Sequence, residues 1–325
     1  MIKVISISYR DRPWRIPGDM DLRQLNYFLS LCEEGSTTRA ARRMNVVQPA
    51  LSMQIAKLED ELGQKLFERS SQGMTPTPAG QLAYRLFSPL LRDLSDAKQQ
   101  VVSRSGEISG RIAVGLVASV TTSVLARALA IFARQYPEVE VSACDGYSSA
   151  HLDQVRSGML DFAIVNKTRR RLDLPFMDVL HEEMVLVTKA ANGRGLPSPI
   201  LFRDLVGLPL VLPSKNNGLR TIIDDIAEDE DVAISIRLEV DAVAAIEELV
   251  RQSDWVTVLP AIAVHRGLAD GSLRAHRIVA PRVTRQLICV HNPRRPLSEA
   301  ARLFIDTLGS ELADAANVLH SQENS

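Results

Sequence analysis

Two groups of short polar side chains stand where they could bind something. In QPALSMQIAKLEDELG, residues 48–63, Leu51, Ile55, Leu58 and Leu62 recur at helical spacing and form one apolar face. The opposite side carries Ser52, Met53, Gln54 and Lys57, where a solvated helix usually shows Glu and Lys. In GLVASVTTSV, residues 115–124, an apolar run ends near Val117, and Ser119, Val120, Thr121 and Thr122 open the helix that follows. VLPSKNNGLRTIID, residues 211–224, repeats the arrangement, with Ser214, Lys215, Asn216, Asn217 and Arg220 after a strand ending near Leu212. Free N–H groups at such helix starts, with hydroxyl and amide side chains beside them, favour an anionic ligand at the carboxyl ends of strands. Capping alone selects the same residue types.

Chemistry of other kinds finds little support. There is no GxSxG, HExxH, Walker loop or GxGxxG. Cys32, Cys144 and Cys289 lie far apart without metal-binding or disulfide spacing, and each reads as a small buried apolar residue. The carboxylates of DDIAEDED, residues 224–231, read as solvated helix ends and loops. The sequence therefore points to binding and not to an enzyme, and it calls for no cofactor or metal.

The elements that must position these residues are legible from period and punctuation. A chain of 325 residues with 46% hydrophobic content holds about two domains. Its net charge of −1 argues against a nonspecific polyanion binder, so any nucleic-acid contact must be local, as around Arg39, Arg42 and Arg43. No apolar run approaches the ~18 residues of a membrane span, and VISIS near the start is too short for a secretory signal, which reads as a cytoplasmic protein.

Residues 1–19 show no period and read as a flexible extension, with Met20 as a second candidate start. From Leu22 a helix runs to Gly35, and Ser36 caps a short second one, STTRAARRM. Pro49 opens the third, and two helices joined by a tight turn make a helix-turn-helix. KLFERSSQGMTPTPAG reads as a two-stranded wing, so residues 20–77 form one domain. Leu82, Leu86, Leu90, Leu94, Ala97 and Val101 then form a stripe suited to self-association, assigned as a linker and dimerisation helix at 78–106. Pro89 inside it predicts a kink or a local break in the hydrogen-bond ladder, costing about 3 kcal/mol unless the context absorbs it. Beyond SRSGEISG, strands alternate with helices as in a parallel-rich sheet covered on both faces. The pattern predicts two lobes around a cleft in residues 107–325: lobe I at 107–184 and 265–325, lobe II at 185–264.

At this point the chain resembles a known family. The pattern AA followed by QPALS, LE-x-x-LG, LFER and T-x-AG, in register, resembles the winged helix-turn-helix of LysR-type transcriptional regulators, and the order of segments through residue 314 is similar. The resemblance implies an α/β effector domain of the type II periplasmic-binding-protein kind. It also implies a homodimer or homotetramer on double-stranded promoter DNA, and a small, often carboxylate, effector in the cleft. RNA polymerase is then a candidate further partner. By position it places Gln48, Pro49, Ser52 and Met53 on the DNA, with Lys57 on the same helix. Ser36, Thr37, Thr38, Arg39 and the wing's Arg69 are placed at phosphates. It places Ser119, Val120, Thr121, Ser148, Ser214, Lys215, Asn216 and Arg220 around the effector, while His151 reads as a surface histidine. Val47, Met53 and Gln72 depart from the family pattern by removing a helix cap and two cations, which implies weaker, less salt-dependent DNA binding. A solute-binding protein would leave the first 90 residues unexplained, and an architectural DNA binder would need a more basic surface.

Overall fold

The computed structural model describes residues 20–70, 73–102, 108–169 and 171–323. The N-terminal extension, Gln72 and most of the 103–110 linker lie outside them. The chain divides into two compact units, residues 1–98 and 99–325.

In the first unit, helix α1 (Leu22–Glu34) starts on a reciprocal cap. Asp21 Oδ1 accepts from the Gln24 N–H at 2.7 Å, and Gln24 Oε1 accepts from the Asp21 N–H at 2.9 Å. Gly35, at φ 60°, ends the helix in the left-handed region. Helix α2 (Thr37–Arg43) is capped by Ser36, whereas α3 (Gln48–Leu62) follows Val47 with no side-chain cap. Strands β1 (Phe67–Ser70) and β2 (Gly73–Pro76) pair antiparallel as the wing. Phe28, Leu31, Leu51, Leu58 and Leu66 form the core. Leu22 and Leu62, the outer members of their sequence stripes, are exposed instead.

Glu59 ties α3 to the wing. Its Oε1 accepts from the N–H groups of Leu66 (2.8 Å) and Phe67 (3.2 Å), and its Oε2 accepts from Lys65 Nζ at 2.6 Å. Burial works to raise its pKa, but these donors outweigh it and hold the carboxyl below the ordinary range. Glu59→Ala would leave two buried N–H groups unpaired. The expected loss is about 2–4 kcal/mol, read by denaturant unfolding of the full chain. Because the folded pKa is lowered, the stabilisation is complete above the unfolded value of roughly 4.3 and fades as pH falls through the folded value. The parent should therefore lose stability on acidification below about pH 5, and Glu59→Ala should lose less.

Helix α4 (Pro78–Val102) runs unbroken through Pro89, so the predicted break does not occur. Gly80 sits where a Cβ would stand 2.1 Å from the Leu66 carbonyl, a contact only glycine permits. Ala79, Ala83, Tyr84, Phe87 and Leu91 face the helix-turn-helix core. A second stripe, Leu82, Leu86, Leu90 and Leu94, is 47–60% exposed.

The second unit begins with β3 (Gly110–Leu116), which leads into α5 (Ala118–Val120), a π-helical turn and α6 (Ala126–Gln135). Then come β4 (Val139–Asp145), α7 (Ser148–Ser157), β5 (Phe162–Asn166) and the long β6 (Phe176–Lys189). β7 (Ile200–Leu201), β8 (Leu210–Leu212), α8 (Gly218–Asp229), β9 (Ile236–Glu239), α9 (Val243–Gln252), β10 (Thr257–Pro260) and α10 (His265–Ala269) follow. β11 (Leu273–Val279), β12 (Thr284–His291) and α11 (Glu299–Glu323) close the chain. The principal sheet runs β4-β3-β5-β12-β6-β11-β7, with β10 also on β6, and β8 pairs with β9.

Pairing is mixed. β3 is parallel to β4 and β5, and β8 to β9, but β12 is antiparallel to both β5 and β6, and β10 and β11 are antiparallel to β6. One core gathers Leu116, Phe132, Phe162, Ile164, Phe304 and Leu308. A second gathers Leu186, Phe202, Leu212, Ile246, Val258 and Ile278. Strand β11 contributes Leu273 and Ile278 to this second core, while Ile262, earlier in the chain, packs in the first. The half of β6 before Met184 is not legible as a strand from sequence. FMDVLHEE has no clean alternation, and it is held there by pairing with β12.

Candidate functional sites

On α3 the exposed side is short and polar. Gln48 Nε2 donates to Ser52 Oγ at 2.8 Å, which joins the two as one hydrogen-bonding unit at the helix start. Pro49, Met53 and Lys57 are exposed beside them. Thr38 and Arg39 are exposed on α2, with Ser36 and Thr37 partly covered. Arg39 lies 3.4 Å from Glu34, and Arg43 lies 2.7 Å from Glu33, so part of the basic cluster is locally neutralised. Arg69 is exposed on the wing.

The second site is a cleft of about 260 Å³ within the second unit, at the carboxyl ends of parallel strands. From the first lobe come Val117, Ala118 and Ser119 after β3, Asp145 to Ser148 after β4, and Asn166 at the end of β5. From the second come Asn217, Gly218 and Leu219 at the start of α8, and Asp241 and Val243 before and in α9. A Cβ on Gly218 would stand 3.0 Å from Asn166 Nδ2 and 3.4 Å from Ser148 Oγ, so glycine lets α8 approach the first lobe. Tyr147 donates across the cleft to Asp241 Oδ2 at 2.7 Å.

Beneath the cleft lies Arg285, fully buried on β12 opposite Glu182 of β6. Its Nη2 lies 2.6 Å from Glu182 Oε1, and its Nη1 donates to Ser119 Oγ at 2.7 Å and to Asn166 Oδ1 at 3.2 Å. Burial pulls the guanidinium pKa down, and Glu182 opposes this. The Asn166 backbone N–H donates to Ser148 Oγ at 3.3 Å. Ser119, Ser148 and Asn166 thus each accept from a protein donor, which leaves the two hydroxyl hydrogens and the Asn166 side-chain amide hydrogens for the cleft.

Two family models cover the chain. One, described as bacterial regulatory helix-turn-helix protein, lysR family, matches residues 22–81, and the other, LysR substrate binding domain, matches residues 105–313. The chain belongs to the LysR family of transcriptional regulators. It is a DNA-binding regulator, and regulators of this family bind DNA and small-molecule effectors. Among curated LysR-type relatives, the HTH-type transcriptional regulator BbuR of Bordetella bronchiseptica is 27% identical over 92% of each chain. The nitrogen assimilation regulatory protein nac of Klebsiella aerogenes is 28% identical over 89% of this chain and 94% of its own. The fold is similar to that of a full-length OxyR variant from Pseudomonas aeruginosa (TM-score 0.71, 22% identity, 89% of this chain and 98% of that one). It is also similar to full-length CbnR complexed with its target DNA (TM-score 0.67, 19% identity, 91% and 100%).

In this LysR-type regulator the cleft gathers only some of the residues predicted for it. Ser119 and Ser148 line it. Val120 is buried in the first lobe's core, and the Thr121 hydroxyl lies 3.4 Å from the Val117 carbonyl of its own helix. Ser214 gives both its N–H and its hydroxyl to Asp241 Oδ1 at 3.1 Å, so it holds a lining residue without being one. Lys215 and Asn216 are exposed and do not line the cleft. Arg220 is buried, held by Asp224 (2.7 Å), Glu239 (2.9 Å) and the Pro213 carbonyl (3.2 Å), so its charge is already paired.

Other sequence expectations also change. His151 is buried and not superficial, its Nε2 3.1 Å from the Leu116 carbonyl. Cys289 is buried, but Cys32 is half-buried and Cys144 exposed. Burial, with the nearby Glu33 charge, pushes the Cys32 thiol up to about 12, and burial alone takes Cys289 to about 12. Burial and Asp145 also raise Cys144, which disfavours a reactive thiolate at all three.

Sequence reasoning missed Asp145, Asn166, Asp241 and Arg285. Asp145 and Asn166 end parallel strands, so the rule that ligands gather at such ends could have found them. Nothing local marks Arg285, because in TRQLICVH it looks like an ordinary outward position. Among the described residues no helix is long and apolar enough to cross a membrane.

Proposed function

We propose that this LysR-type regulator binds promoter DNA as a homo-oligomer joined through α4, and that a small carboxylate in the cleft alters its grip. It acts by binding and not by catalysis. The observation that carries the effector reading is the set of three buried side chains, Ser119, Ser148 and Asn166, each of which already accepts one hydrogen bond from within. Their hydroxyl and side-chain amide hydrogens favour a ligand that brings acceptors. The starts of α7, α8 and α9 meet the same cleft and add positive partial charge there.

On the DNA side, the linked amide and hydroxyl of Gln48 and Ser52 are the base-reading pair. Pro49, Met53 and Lys57 flank them, and Ser36, Thr37, Thr38, Arg39 and Arg69 meet phosphates. The test is a gel shift of the full chain on its own upstream DNA against scrambled DNA, with and without a panel of organic acids. Gln48→Ala should lose about 1–3 kcal/mol of discrimination between the two DNAs. Ser119→Ala should keep DNA binding and lose the acid response. Unchanged discrimination by Gln48→Ala would remove the recognition role from α3, and a response surviving in Ser119→Ala would remove the effector from the cleft floor.

A further inference from the structure

The floor donors answer one end of a ligand, and the rest of the cleft has the opposite character. Asp145 and Asp241 both line it, and among the described residues no lysine, arginine or histidine does. Asp241 is held in place by Tyr147 and Ser214, neutral donors that orient its carboxylate without cancelling its charge. Asp145 forms no ion pair among the described residues, and burial pushes its carboxyl up against the opposing Gly146 N–H and His151. The cations that sequence reasoning placed here are absent from the lining, since Lys215 points to solvent and Arg220 is already paired. A simple carboxylate would fill the floor and leave its remaining length between two negative groups. A ligand that also carries a cation would answer both ends.

We infer that the effector is an amino acid, its carboxylate on the floor formed by Ser119, Ser148 and Asn166 and its ammonium toward Asp145 and Asp241. This rests on the carboxylate reading above and narrows it. Net charge near zero on the ligand matches a cleft lined by both hydrogen-bond donors and carboxylates.

The test is isothermal titration of the full-length protein with the twenty proteinogenic amino acids and with the deaminated and 2-hydroxy counterpart of each. At least one amino acid should bind tenfold or more tightly than both of its counterparts. Asp145→Asn, shown by thermal unfolding to be folded, should close that gap. If a deaminated or hydroxy acid binds as tightly as its amino acid, the ammonium subsite is wrong while the carboxylate floor stands. If none of the three series binds, both readings fall together. A gap that persists unchanged in Asp145→Asn and in Asp241→Asn would also overturn the inference.

Discussion

Arg285→Met should be the most damaging single substitution in the second unit, lowering its stability by about 3–5 kcal/mol. Arg285 is fully buried, and its removal strands the Glu182 carboxylate, which is itself 7% exposed. One oxygen of that carboxylate, Oε2, has no hydrogen-bond partner among the described residues, so the guanidinium is what tolerates the charge there. The double variant Arg285→Met with Glu182→Leu removes both charges and should recover most of the loss, since paired apolar replacements of buried ion pairs are often neutral. It should not recover effector binding, because Ser119 and Asn166 would be free to turn their acceptors into the cleft. Denaturant unfolding and the acid-dependent gel shift measure the two effects separately. A double variant that regained the acid response would show that Arg285 serves stability alone.

Charging the outer stripe of α4 should abolish assembly. Leu86 and Leu90 are 56% and 60% exposed on a helix whose opposite stripe already packs on the helix-turn-helix core. Burying the exposed half of two leucines on each of two protomers contributes roughly 3–6 kcal/mol, at 1.5–3 kcal/mol for a whole side chain. A two-fold interface counts every substitution twice. Leu86→Asp with Leu90→Asp should therefore give a monomer in analytical ultracentrifugation. DNA affinity should fall by roughly 100-fold or more, because a lone winged domain reads only one half-site. A variant that still sediments as the parent does would place the interface elsewhere.

How far the residues spoke for themselves differed between the two units. The winged domain is built from contacts close in sequence: the Asp21 and Ser36 caps, the left-handed Gly35 and the apolar spacing of α3 are all local signals. Glu59 is the exception there, since its partners on Leu66 and Phe67 come from a tight return of the chain. Pro89 shows the limit of a local rule. α4 absorbs it without a break in helical structure.

By itself the sequence determined most of the order of elements, the membership of the family and the helix that carries Gln48 and Ser52. Each rests on periodicity, caps or a motif in register, which are properties of neighbouring residues. Only the tertiary structure decided that β11 packs in the second core and that Ser214 and Arg220 are occupied by Asp241, Asp224 and Glu239. It alone placed Arg285 beneath Ser119, a partner 166 positions away. Whether a charge is free for a ligand depends on what it meets across such distances. No local pattern records that, because the encounter is made by strand pairing between parts of the chain that fold past one another.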